Sequence, residues 1–96
     1  MAVAYAALQR ALAAKGRPAP IEGLTPEQRF YLSWARIWRT QYRPEAMRTL
    51  IATNSHAPPR WRVNGPLSNQ PEFAKAFGCK AGAPMVRSED LSTEIW

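Results

Sequence analysis

The stretch that decides the fold is Leu24-Thr25-Pro26-Glu27-Gln28-Arg29-Phe30-Tyr31-Leu32-Ser33-Trp34-Ala35-Arg36-Ile37-Trp38. Thr25 is a helix N-cap residue. Pro26 suits the first helical position, where a missing N–H costs nothing, and Gln28 completes a capping box with Thr25. A helix is predicted from here to about Tyr42. Phe30, Trp34, Ile37 and Trp38 line one side of it. Arg29, Arg36 and Arg43 lie seven residues apart on another side, as a solvated stripe or a charged contact surface.

Working outward, Ala2 to about Ala14 is predicted helical because alanine is the best helix former and Tyr5, Leu8 and Leu12 recur at three- and four-residue steps. Gly16, Pro18 and Pro20 end that helix and leave residues 16–23 as a hinge-like connection. Downstream, Pro44 opens a third helix, roughly Glu45 to Ala52, and Pro71 starts a short one through Phe77 that stops at Gly78. Residues 54–69, Asn54-Ser55-His56-Ala57-Pro58-Pro59-Arg60-Trp61-Arg62-Val63-Asn64-Gly65-Pro66-Leu67-Ser68-Asn69, are so punctuated by proline and glycine that a long irregular loop is expected, with a short extended piece at Trp61–Val63. The tail from Cys79 has loop composition and ends on Ile95-Trp96. The class is mainly α: a small helical domain with a long irregular loop.

The 96 residues permit one small domain or part of a larger one, and an apolar share of 46% excludes wholesale disorder. Cys79 is the sole cysteine, so no intramolecular disulfide forms. No apolar run approaches the ~20 residues of a membrane span. The first residues lack a basic leader segment, and Met1 enters helical pattern without a polar cap, as a truncated helix would. The net charge of +6 is compatible with nucleic acid or acidic partners, or with the uneven charge of a piece of a larger protein.

Complete catalytic sets are absent. There is no H-E-x-x-H, no Gly-rich phosphate loop and no G-x-S-x-G. With one His and one Cys, no soft-ligand metal cluster can be assembled. What remains is the 54–69 stretch. An imidazole there can donate to an oxyanion, and a guanidinium can give two parallel hydrogen bonds to a carbonyl or carboxylate. The ordinary alternatives are a solvated His and an Arg60-Trp61-Arg62 cation–π stack on the surface.

Several runs occur together in one order: Gly23-Leu24-Thr25-Pro26-Glu27-Gln28-Arg29-Phe30-Tyr31-Leu32-Ser33-Trp34-Ala35, Ile37-Trp38, Tyr42-Arg43-Pro44-Glu45, Ser55-His56-Ala57-Pro58, Arg62-Val63-Asn64-Gly65-Pro66-Leu67-Ser68-Asn69, Pro71-Glu72-Phe73, Ala76-Phe77 and Trp96. This order resembles the C-terminal end of the neprilysin and endothelin-converting-enzyme family of zinc metallopeptidases, over essentially the whole of residues 1–96. The resemblance implies the C-terminal part of a zincin catalytic domain, following the helices that carry the zinc ligands. It implies that His56 is the catalytic histidine that stabilises the transition state, that Arg62 binds the substrate backbone carbonyl, and that Trp38 lies at the wall of the pocket for the side chain after the scissile bond. Zinc and a peptide substrate belong, on this reading, to the full-length parent. The segment itself is expected to hold no metal, to be inactive alone, and to bind neither nucleic acid nor membrane. Cys79 without a partner points to a bacterial-type member, a group typically exported or periplasmic. A homodimer through exposed apolar helix faces is expected of the isolated chain. The reading from another class is a standalone basic helical module for nucleic acid or an acidic protein, using Arg29, Arg36, Arg39 and Arg43.

Overall fold

Five helices follow one another in the computed structural model, which describes residues 1–93: α1 (Ala2–Lys15), α2 (Pro26–Ile37), α3 (Pro44–Thr53), α4 (Pro59–Ser68) and α5 (Pro71–Phe77), with a 3-10 turn at Glu89–Leu91. Among the described residues only an isolated bridge between Ile21 and Leu24 departs from helix, turn and coil. That bridge closes a tight turn in which Glu22 and Gly23 both have positive φ, the conformation that favours glycine at the second position. It delivers the chain to Thr25.

The start of α2 is built as the capping box requires. The Gln28 N–H donates to Thr25 Oγ1, and the Thr25 N–H donates to Gln28 Oε1. The same Gln28 side chain donates through Nε2 to the Ala76 carbonyl, 2.9 Å away, so the cap also ties α2 to the end of α5. That end is closed by Gly78 in the left-handed region, φ 64°.

The core is small and centred on Tyr31, which is 1% exposed. Its ring stacks on Tyr5 of α1 at 5.4 Å and meets Phe30 and Phe73 edge-on at 5.2 and 5.3 Å. Its Oη donates to Gln70 Oε1. Burial pushes the phenol pKa well above its ordinary range, so the ring stays neutral. Leu12 and Leu67 are the other buried large apolar residues. α2 and α4 each pack on α5, while α3 buries no residue.

Glu27 joins α1, the connection and α2. Arg17 Nη1 and Nη2 donate to its carboxylate at 2.7 and 2.8 Å, and Gln9 Nε2 donates at 3.2 Å. The bond from Arg17, the largest cause, holds its pKa down at about 2, against an ordinary 4.5. A depressed carboxylate contributes stability that is present above the unfolded pKa and lost as pH falls through the folded one. Glu27→Gln should therefore lower the unfolding temperature most above pH 4.5, and the gap to the parent should close between pH 4.5 and about 2. Thermal melts of both chains across that range check this; a gap that ignores pH would refute it.

Two expectations need correction. The second helix ends at Ile37, not near Tyr42: Trp38 is its C-cap, and the chain is irregular until Pro44. The 54–69 stretch is irregular only as far as Pro58, and Trp61–Val63 is helical rather than extended. α4 tolerates both Gly65 and Pro66, although a helix-interior proline costs about 3 kcal/mol. Burial decides the outcome, because Pro59 and Leu67 are buried at i and i+8 on the helix face that also carries Arg62 and Val63.

The chain does not close on itself. A folded monomer of 10.8 kDa exposes about 5,500 Å², yet this one exposes 7711 Å². Its radius of gyration is 15.6 Å, where a compact chain of this length has about 12.5 Å.

Candidate functional site

The site residues are delivered by the end of α2, the turn after α3, and α4. Trp38, as the C-cap of α2, has its ring at 6.0 Å from that of Trp34, one helical turn back. Its indole Nε1 is buried and has no hydrogen-bond partner, so packing alone fixes the ring. Arg62 lies in the first turn of α4 and points back at α2. Its guanidinium carbon sits 4.2 Å from the centroid of the Trp38 ring. The neighbouring Arg60 lies over Trp61 at 5.9 Å. Arg60, Trp61 and Arg62 therefore do not form one stack: Arg60 pairs with exposed Trp61, and half-buried Arg62 crosses to another helix.

His56 stands on the exposed turn between α3 and α4. Asn54 Oδ1 accepts from the His56 backbone N–H at 2.9 Å and contacts ring Nδ1 at 3.1 Å. An amide oxygen can only accept, so this ring contact is a hydrogen bond in the tautomer that carries its proton on Nδ1. Asn54 was not singled out from the sequence. The signal was available, because Asn two residues before another residue favours an Asx turn with that residue's N–H. The structure brings Trp38 and Arg62 into contact, and places His56 six residues before Arg62 with its own partner, Asn54.

Two clefts flank these elements. One of about 470 Å³ lies between α2 and α4, with Leu32, Trp38, Pro59 and Val63 among its walls. A second of similar size runs along α1 and α2 past Leu8, Phe30, Trp34 and Ile37. The expected apolar faces of α1 and α2 thus divide. Tyr5 meets Phe30 edge-on, Leu12 is buried, and Ile37 remains 72% exposed.

Among the described residues no three of His, Cys, Asp and Glu converge to hold a metal ion. No described helix is long and apolar enough to cross a membrane.

The comparisons with known proteins decide the family, since the model for peptidase family M13 matches residues 1–92. The chain belongs to peptidase family M13. It is 40% identical over 94 residues to Neprilysin-2 of Drosophila melanogaster, covering 96% of this chain and 12% of that protein. It is 39% identical over 77 residues to endothelin-converting enzyme 1 of Bos taurus, covering 80% of this chain and 10% of the relative. Among solved structures it superposes on a zinc metalloprotease of Mycobacterium tuberculosis in an open state, with a TM-score of 0.78 and 35% identity over 91% of this chain and 14% of that one. The M13 segment spans about a tenth of the length of these relatives.

The family finding gives no support to the basic-module reading, and the structure does not place its four arginines on one helix. Arg29 turns into the α1–α2 groove with its Nε buried and unpartnered, and α2 stops before Arg39 and Arg43.

Proposed function

We propose that this M13 segment forms part of the substrate-binding wall of a zinc metalloendopeptidase, working inside a larger catalytic domain. The observation that carries this reading is Arg62. In a chain of this family, a half-buried guanidinium lies on a tryptophan face and makes no side-chain hydrogen bond or ion pair among the described residues. The excess exposed surface and elongated shape support a segment that packs against further structure.

In this role Arg62 donates in-plane hydrogen bonds to a peptide carbonyl next to the scissile bond. Trp38 walls the pocket for the following side chain. His56 donates from Nε2 to the oxyanion that forms as water adds to the scissile carbonyl. Zinc would act as the Lewis acid in such an enzyme, held by residues outside this segment, and no step of His56, Arg62 or Trp38 requires them to touch it.

The chain of residues 1–96 alone should neither bind zinc stoichiometrically nor cut peptides. Calorimetry with zinc and a fluorogenic peptide assay test this, and chelator-sensitive turnover by the pure chain would sink it. Its uncovered α1–α2 groove is proposed to draw two copies together at high concentration. Sedimentation equilibrium on the same sample reads that, with a monomer at every concentration as the contrary result.

A further inference from the structure

We propose that Trp38 is a positioning residue for Arg62, acting on substrate through the guanidinium that lies on its ring. This inference rests on the carbonyl-binding role proposed for Arg62 and adds to it the device that aims that side chain.

The geometry favours stacking over accident. At 4.2 Å to the ring centroid, the guanidinium is well inside the range of about 6 Å within which the ring quadrupole attracts a cation. Arg60, exposed beside exposed Trp61, sits at 5.9 Å, the outer edge of that range. Arg62 also has no carboxylate partner among the described residues, where Arg17–Glu27 is the one ion pair. A bidentate salt bridge would fix the guanidinium by consuming two of its five in-plane donors. Stacking fixes it through its face and leaves all five N–H groups at the edge for a ligand. This arrangement suits an arginine that binds a neutral carbonyl, since no neighbouring carboxylate competes for its donors among the described residues.

Trp38 is equally suited to the task. Its Nε1 makes no hydrogen bond, and the ring is braced on Trp34, so its fixed feature is a flat face. The ring belongs to the C-cap of α2 while Arg62 belongs to α4. Their stack thus also sets the spacing of the two helices that border the α2–α4 cleft, whose walls include Trp38.

The test is a double-mutant cycle in the peptidase that carries this segment, with variants Trp38→Leu, Trp38→Phe, Arg62→Ala and the double Trp38→Leu/Arg62→Ala. Loss of the stack should raise KM about tenfold with a smaller change in kcat, because the carbonyl contact is present before and during the reaction. Trp38→Phe keeps an aromatic face and should stay within about threefold of the parent. The decisive readout is non-additivity: once Arg62 is alanine, Trp38→Leu should cost little more. Additive effects, with an altered preference for the side chain after the scissile bond in the Arg62→Ala background, would mean that Trp38 is only a pocket wall. If Arg62→Ala leaves KM unchanged, the role proposed for Arg62 fails first and the inference falls with it. In the chain of residues 1–96, the Arg62 δ-methylene protons should be shifted upfield by the ring current and lose that shift in Trp38→Leu. Unshifted protons in the parent chain would overturn the stack itself, independently of any assay.

Discussion

On the oxyanion role proposed for His56, His56→Ala in the full-length protein should lower kcat by about two to three orders of magnitude, the usual cost of one oxyanion donor. The side chain sits on an exposed turn, so its removal leaves the core intact and the loss belongs to chemistry rather than folding. Asn54 Oδ1 contacts both the His56 backbone N–H and ring Nδ1, which holds the ring on the turn. KM should change little, because the donor matters when negative charge develops on the carbonyl oxygen. Steady-state kinetics on a fluorogenic peptide, with zinc content matched between variant and parent, checks this. A kcat within about twofold of the parent's would remove His56 from the mechanism.

Tyr31→Ala should destabilise the chain by about 3–5 kcal/mol, in line with large-to-small changes at buried aromatic sites. That is a large share of the 5–15 kcal/mol that holds a typical domain together, and this core has few other members to share the loss. Tyr31 is where α1, α2 and α5 meet, through Tyr5, Phe30 and Phe73. Tyr31→Phe keeps those three ring contacts and removes only the donor to Gln70, so its cost should be near 1 kcal/mol. Urea denaturation followed by far-UV circular dichroism separates the two. Equal midpoints for Tyr31→Ala and Tyr31→Phe would show that the aromatic cluster is not the centre of stability.

Much of this was legible in residue order, where the determining chemistry is local. Thr25, Pro26 and Gln28 specify the start of α2 because the capping box involves only residues three apart. Pro71 and Gly78 bracket α5 for the same reason, a fixed φ at one end and a left-handed glycine at the other. The ordered runs from Gly23 to Phe77 carried the family, which the match over residues 1–92 establishes. The mainly α class followed from the same local signals.

Contacts distant in sequence decided the rest. Gly65 and Pro66 argue against a helix on any local scale, and α4 forms because Pro59 and Leu67 gain more from burial than the backbone loses. The spacing Pro59, Arg62, Val63, Leu67 was present in the chain, but proline and glycine outweighed it until a neighbouring surface was available to bury that face. Gln28 is a capping residue by sequence and becomes a clamp on Ala76 only when α5 folds beside α2. Trp38 and Arg62 are 24 positions apart. Sequence supplied a tryptophan and an arginine, each given an expected role by the family resemblance, and only the packing of the end of α2 beside α4 laid one on the other at 4.2 Å. A cation–π contact across that separation depends on where two helices sit, and no local propensity encodes that placement.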